Sequence, residues 1–237
     1  MTARLGVEQV LVVVPARDEE LRLRRCLDAL AVAVARVAPA VGVRVVVVLD
    51  RCRDGSAQVV GDRPGVVAVT CDAGSAGGAR RAGVAAGLHG VARSGQGPER
   101  VWVASTDADS TVPAHWLTSQ LEAAARGADL VLGTVRPDPA EAPAALVQAW
   151  AAGYTEVEGH PHVHAANLGV RGSAYLAAGG FEPVRCHEDV RLAAAVARGG
   201  GTVVRTAAAP VTTSARLRAR APDGFAAHLA ALAAPSG

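Results

Sequence analysis

The sequence contains no lysine, no isoleucine and a single asparagine, Asn167. Apart from histidine, every basic side chain is therefore an arginine, whose planar guanidinium favours paired contacts to phosphate or carboxylate. This skew points to a GC-biased coding sequence rather than a functional adaptation. Aromatic residues make up only 3% of the chain against 50% hydrophobic residues, so the core must be built mostly of Val, Leu and Ala. The net charge of +2 gives no reason to expect nucleic-acid binding by bulk electrostatics. The four cysteines (Cys26, Cys52, Cys71, Cys186) are scattered with no CxxC pair. That argues against a disulfide framework or a cysteine zinc site and suits a reducing compartment. No basic-then-apolar leader pattern opens the chain. The most apolar region, Leu30 to Leu49, is broken by Arg36, Pro39 and Arg44, so no transmembrane segment is expected. The expectation is a cytoplasmic protein, with peripheral association at a membrane surface left open.

What the 237 residues do contain reads as one large α/β domain. Val10 to Val14 is an uninterrupted apolar run, the pattern of a strand buried on both faces of a parallel sheet. A helix follows from about Leu21 to Val37, with Asp18 or a neighbour as its cap, and Pro39 and Gly42 end it. Further strands are expected at Val43–Leu49, Val66–Thr70, Val101–Ser105 and Leu130–Val135. Helices are expected after Ser56, from the glycine-rich stretch Gly74–Gly83 to about Arg93, and from Pro113 to about Arg126. Strand–helix alternation implies a mostly parallel sheet with helices on both faces. The pattern then changes. Arg136 to Pro143 reads as a loop and Ala144 to Tyr154 as a helix. A strand near Ala166–Val170, a short helix from Ser173 and a helix from Glu188 to about Arg198 follow. Gly200–Thr206 and Val211–Thr213 are strand-like, and Phe225 to Ala233 forms a closing helix.

The fourth strand runs into Asp107-Ala108-Asp109. Two carboxylates one residue apart, at the carboxyl edge of a sheet, lie where α/β proteins bind ligands. Such hard oxygen ligands suit Mg²⁺ or Mn²⁺ held jointly with a diphosphate, although Asp-rich loops also serve as turns and caps. Glu188 and Asp189 open a helix. Neighbouring helical residues point about 100° apart, so only one of the pair can face a given atom. Asp54 is placed to cap the helix that begins at Ser56. His160, His162 and His164 share one face of an extended segment. They admit three readings: a zinc site, acceptor contacts, or a polar loop. Trp116 and Trp150 either stack on a ligand ring or fill the core. Arg216, Arg218 and Arg220 alternate, and either meet an anionic group or are solvated.

Taken together, these pieces resemble family 2 glycosyltransferases, which have the GT-A fold. Val13-Val14-Pro15-Ala16-Arg17-Asp18-Glu19 is similar to the family's opening strand and Pro-x-x-Asn-Glu turn, with Asp18 where Asn is usual. Asp50 to Ser56 resembles its Asp-Asp-Gly-Ser turn with extra residues. Gly78-Ala79-Arg80-Arg81-Ala82-Gly83 resembles its Gly-x-Ala-Arg-Asn-x-Gly helix start, and Asp107-Ala108-Asp109 its metal motif. Asn167 to Arg171 with Gly179-Gly180-Phe181, and Glu188-Asp189 with Leu192, complete the order. The match spans roughly Val10 to Arg220.

The resemblance implies a single GT-A domain over 1–237. About 8–135 would be the nucleotide-binding half, with a Rossmann-like sheet. About 136–220 would be a smaller, mixed acceptor-binding half, and 221–237 a tail. It implies inverting transfer of a sugar from a UDP- or GDP-sugar to an acceptor hydroxyl, with Mn²⁺ or Mg²⁺. By analogy Asp109 is the direct metal ligand, and Asp107 contacts the ribose or supports the metal. Asp50 accepts a hydrogen bond from the nucleobase, and Pro15, Ala16 and Glu19 line the same pocket. Arg80 lies over the base or near a phosphate. Asp189 is the general base, and Glu188 an alternative or an acceptor contact. His187, Asn167, His164 and Arg216 are candidates for contacts to acceptor or diphosphate. The acceptor is expected to be small or lipid-linked. Two competing readings are a sugar-phosphate nucleotidyltransferase and a non-catalytic nucleotide-sugar-binding domain. The first usually carries a glycine-rich basic loop after strand one, where this chain has Pro15 to Glu19. A dinucleotide oxidoreductase would need GxGxxG there.

Overall fold

The computed structural model describes residues 6–93, 95–218 and 224–233. Its centre is strand β1 (Gln9–Ala16), in which Val10 to Val14 are all fully buried. Alternate side chains leave a strand on opposite faces, and here they found two cores. Val10, Val12 and Val14 pack with helices α1 (Glu20–Val37), α2 (Ser56–Gly61) and α4 (Trp116–Ala125). Leu11 and Val13 pack with α3 (Ala76–Ala92) and, farther along the sheet, with side chains of α6 (Gly172–Ala177) and α7 (Glu188–Arg198). A strand buried on both sides cannot alternate polar with apolar, which is why the run is continuous.

The remaining strands are β2 (Gly42–Asp50), β3 (Val66–Cys71), β4 (Val101–Ser105), β5 (Ser110–Thr111), β6 (Leu130–Pro137), β7 (Leu168–Arg171) and β8 (Val203–Thr213). Their order across the sheet is β3-β2-β1-β4-β7-β6-β8-β5. The first four run parallel, Gln9 of β1 lying beside Gly42 of β2 and Val101 of β4. β7 is antiparallel to both neighbours, β6 and β8 are parallel, and β5 is antiparallel to β8. The sheet is thus mixed in its second half, as expected. Chain order reverses between β1 and β4, and ligands bind beyond the carboxyl ends of strands at such a switch point.

Helix α3 lies close against the sheet because it presents glycines there. A Cβ on Gly83 would come within 2.6 Å of both Val13 and Val48, and one on Gly87 would overlap Leu11. Helices α5 (Ala144–Gly153) and α8 (Phe225–Ala233) pack on each other beside the second half of the sheet. Among the described residues, no helix is long and apolar enough to cross a membrane.

Several boundaries differ from the sequence reading. Pro113 to His115 form a turn, closed by the Trp116 N–H on the Pro113 carbonyl at 2.9 Å, so α4 begins at Trp116. Ala165–Asn167 is a 3₁₀ turn that delays β7. The two strand-like pieces after Gly200 form one strand, β8, with an irregularity opposite Gly133 and Val135. Asp18 does not cap α1. Asp54 does, accepting the Glu20 N–H with Oδ2 at 2.9 Å and, as expected, the Ser56 N–H with Oδ1 at 3.0 Å. The Ser56 hydroxyl takes the Glu19 N–H at 3.0 Å, so the loop after β2 satisfies the open start of α1.

Candidate active site

Loops at the carboxyl edge of the sheet, with parts of α5, α7 and α8, line one cavity of about 760 Å³. Small-molecule sites span roughly 300–1,000 Å³. The loop after β1 brings Pro15, Ala16 and Glu19, β2 ends at Asp50, and the loop after β4 brings Asp107 and Asp109. Among the described residues, the non-glycine positions with positive φ are Asp18, Arg51 and His187, and all three lie in the loops around this cavity. Backbone strain of this kind persists only where the surroundings fix it. The Asp18 carboxylate does so by accepting the Arg53 N–H at 2.7 Å, tying the first loop to the second. Asp50 is buried and its Oδ1 accepts the Gly74 N–H at 3.0 Å.

Arg80 is buried in the floor of the cavity. Its Nε donates to Ser105 Oγ at 3.0 Å, Nη2 to Asp107 and Nη1 to Glu188. Burial acts against its charge, but the carboxylates of Asp107 and Glu188 outweigh it and raise its pKa. Glu188 is itself buried, which raises its pKa against the opposing pull of Arg80. Arg80 thus lines the cavity beside two carboxylates, and Glu188 is turned to it.

Asp109 is reached from the other end of the chain. β5 pairs with β8, the Ser110 hydroxyl bonding to that of Thr213 at 2.8 Å, and the Ser214 N–H meets the Asp109 carbonyl at 3.1 Å. Glu141 holds the next turn through the Ser214 hydroxyl at 2.6 Å and the Ala215 N–H at 3.2 Å. This carries Arg216 to Asp109 (Nη2 to Oδ2, 2.8 Å) and to Glu19 (Nη1 to Oε1, 2.6 Å). Arg218 is exposed, and Arg220 lies outside the described residues. Burial pushes the Asp109 carboxyl up to about 6; Arg216 opposes this, while Asp107 and Glu19 add to it.

At the start of α7, Asp189 Oδ2 accepts the Ala165 N–H at 2.8 Å and Oδ1 its neighbour's N–H at 2.8 Å. Asp189, Glu188, His187 and His164 all line the same cavity as Asp107 and Asp109. Asn167 does not. It is buried, its amide donating to the Thr134 and Ala209 carbonyls and accepting the Trp116 indole N–H, each at 2.8 Å. Its role is to tie β6, β8 and α4 together, which corrects its assignment as an acceptor contact, and Trp116 is a core residue. The histidine triplet does stack along one face, but the three rings do not converge as ligands. His160 Nε2 lies on the Leu132 and Thr206 carbonyls, His162 Nε2 takes the Thr155 N–H, and His164 Nε2 meets the Tyr154 hydroxyl.

Among the described residues, three potential metal ligands close enough to share one ion occur only at Asp18, Cys52 and Asp54, and backbone N–H groups already hold those two carboxylates. Asp107 and Asp109 are a sparser set. One or two carboxylates, with the rest supplied by phosphate and water, is how Mg²⁺ is usually held. The burial of Asp109, together with the neighbouring carboxylates of Asp107 and Glu19 that add to its rise, fits a place for a divalent cation. Cys26, buried on α1 with its thiol on the Asp107 carbonyl, reports the same field. Burial, then Asp109, Asp107 and Glu19, push its thiol far up.

The model of the family "Glycosyl transferase family 2" matches residues 11–144, more than half of the chain. The chain belongs to glycosyltransferase family 2. The matched span covers β1 to the start of α5 and includes both aspartates of the motif after β4. No curated protein matches the chain. Among solved structures, this family 2 chain is similar to TarS of S. aureus (residues 1–349) in complex with UDP-GlcNAc. The TM-score is 0.66 at 13% identity, over 92% of this chain and 61% of that one. It is also similar to the mannosyltransferase PcManGT of Pyrobaculum calidifontis in complex with GDP-Man and Mn²⁺. There the TM-score is 0.58 at 19% identity, over 90% of this chain and 58% of that one. The chain thus spans about three fifths of their length. At these identities the likeness shows the fold, GT-A, and nothing finer.

Proposed function

We propose that the chain transfers a sugar from a nucleoside-diphosphate donor to an acceptor hydroxyl, with inversion and with a divalent metal. The observation that carries this reading is that Asp107, Asp109 and Asp189 line one cavity at the switch point of the sheet. The donor's nucleoside lies against Pro15, Ala16 and Glu19, its base hydrogen-bonded to Asp50. Asp109, with Asp107 in support, would hold Mn²⁺ or Mg²⁺, which when bound would take up the charge developing on the leaving diphosphate. Asp189 accepts the proton of the acceptor hydroxyl. The oxygen attacks the anomeric carbon as its bond to the diphosphate breaks on the opposite face. Arg216 moves from Asp109 to the diphosphate. Glu188, held by Arg80, sets the start of α7 rather than acting as base. The donors in the two similar structures, UDP-GlcNAc and GDP-Man, make UDP- and GDP-sugars the first to test. A nucleotidyltransferase reading has no glycine-rich basic loop after β1 to support it, and all three aspartates of an active transferase are present.

The test is calorimetric titration of UDP and GDP with and without Mn²⁺, followed by transfer assays. One nucleotide is expected to bind in a metal-dependent way. Asp109→Ala should lose that binding, whereas Asp189→Asn should keep it and lose transfer by at least about 10²-fold, a general base contributing typically 10²–10⁴-fold. Near-normal turnover by Asp189→Asn would remove the base assignment.

A further inference from the structure

Asn167 lies away from the cavity, but the turn it closes does not. Ala165 and Ala166 of the 3₁₀ turn Ala165–Asn167 line the cavity together with Asp189. The turn is held at both ends by an irregularity in the sheet. Gly133 of β6 lies beside Thr206 of β8, but the next paired residue, Val135, lies beside Val211. Thr134 thus stands opposite residues 207–210 with no partner in the ladder. Irregularities of this kind are over-represented next to active sites. Here their backbone groups hold the turn. The Asn167 side-chain amide donates to the Thr134 carbonyl of β6 and the Ala209 carbonyl of β8. The Asn167 backbone N–H closes the turn on the His164 carbonyl at 3.0 Å. Upstream, the Val135 N–H bonds to the Tyr154 hydroxyl at 3.1 Å, and that hydroxyl meets His164 Nε2 at 3.0 Å. A Cβ on Gly133 would overlap the Asn167 side chain, so the anchor also needs a glycine on β6.

The turn passes this rigidity to one carboxylate. The Ala165 N–H bonds to Asp189 Oδ2 at 2.8 Å, while Oδ1 accepts the Val190 N–H at 2.8 Å. The second bond is local to α7 and moves with it. The first comes from 24 residues earlier and ties the carboxylate to the sheet. The start of α7 has little else to fix it on this side. Its N-cap, His187, is left-handed (φ 64°) and makes no side-chain cap. Glu188 turns to Arg80 instead, in keeping with the 100° between adjacent helical positions. An aspartate side chain has several staggered rotamers to choose from, and the Ala165 N–H selects one. A carboxylate oxygen accepts about two hydrogen bonds. With one N–H on each oxygen, Asp189 still has acceptor capacity for a proton.

We infer that the Ala165 N–H is a positioning group for Asp189, and that the turn Ala165–Asn167, anchored on β6 and β8, aims this carboxylate into the cavity. This rests on the transferase reading, in which Asp189 is the base. Replacing Ala165 by L-lactic acid turns the N–H into an ester oxygen and alters no side chain. Ala165→Pro removes the same N–H, and His164 already has the extended backbone that proline demands of the residue before it (φ −137°, ψ 119°). Ala165→Gly keeps the N–H and is the control. A donor to a carboxylate favours its charged form. In the ester and proline variants the Asp189 carboxyl carbon, assigned in carbon-13 spectra by its loss in Asp189→Asn, should therefore titrate about one pH unit higher than in the wild type. The glycine variant should follow the wild type. Arg80 and Glu188, the charged groups that interact with Asp189, and His164 and His187 beside it are the same in every variant.

Turnover is read as nucleotide release from a panel of UDP- and GDP-hexoses with Mn²⁺. In the ester and proline variants kcat should fall at least about tenfold while KM for the donor stays within about twofold, and the acid limb of kcat should move with the carbon titration. Metal-dependent nucleotide binding shows that a variant is folded; if the proline variant fails this check, the ester decides. If the ester variant matches the wild type in titration and kcat, or the glycine variant loses as much as the ester, the positioning role is wrong while the transferase reading stands. If the wild type neither binds a nucleotide nor releases one from any donor, the transferase reading fails and the inference fails with it.

Discussion

Asp109 shares its surroundings with Asp107, Glu19 and the cationic Arg216, and burial with the neighbouring carboxylates brings its carboxyl to about 6. A metal ligand must be deprotonated to bind. The folded-state value lies above the ordinary one, so the proton competes with the ion as pH falls through about 6, not through 4. Mn²⁺ affinity, read by calorimetry or by electron paramagnetic resonance, should fall about tenfold per unit below pH 6 and level off above 7. An affinity constant down to pH 5 would exclude Asp109 as a ligand. Arg80 is the second residue with a decisive environment. Removing one partner of a buried ion pair leaves the other charge unsolvated, at a cost of about 3–5 kcal/mol. Arg80→Met should lower the urea midpoint accordingly. Glu188→Gln added to it should restore part of the loss, because the stranded charge is then gone. If the double variant were no more stable than Arg80→Met, Glu188 would not be the partner that matters.

At the scale of elements, α3 gives two glycine substitutions opposite signs. Ala is favoured over Gly in a helix by roughly 1 kcal/mol. At Gly90 an added Cβ meets only the end of the Arg44 side chain at 3.2 Å, which can move, so Gly90→Ala should stabilise. At Gly83 it meets Val13 and Val48, fully buried, β-branched and stiff. Overpacking of this kind costs about 1–3 kcal/mol, so Gly83→Ala should be net destabilising. Chemical denaturation of the two variants checks both signs.

The same elements show what was legible in the sequence. Runs such as Val10–Val14 and Val43–Leu49 betray buried parallel strands because burial on both faces forbids polar residues. The two-residue strand Ser110–Thr111 has no such run. It exists because β8, a hundred residues later, offers it partners, and without it the approach of Arg216 to Asp109 could not be foreseen. Asn167 was misread for the same reason: its three partners come from β6, β8 and the start of α4. Asp54 was half legible. Its local cap at Ser56 follows from spacing, while its cap on α1 depends on two loops meeting. The carboxylates of the candidate site and Arg80 were legible as motifs, but the pairing of that arginine with two of them was not, since its partners lie 27 and 108 residues away.

For the whole molecule, that arginine ties the loop after β4 to the start of α7, and on the proposed function it would couple the donor and acceptor sides. One guanidinium pairs with both Asp107 in the loop after β4 and Glu188 at the start of the helix that carries Asp189. Arg80 is divided between the two carboxylates here; a cation and diphosphate competing for Asp107 would leave it to Glu188 and the start of α7. Linkage between two binding events is reciprocal, so each ligand must change the other's affinity by the same factor, typically about 5–150-fold for couplings of this kind. Calorimetry of acceptor with and without nucleotide and Mn²⁺, and the reverse titration, should give equal factors, and Arg80→Met should bring both close to one. The enzyme would then take its substrates in order, donor first. A bare acceptor would meet a helix α7 not yet fixed in place.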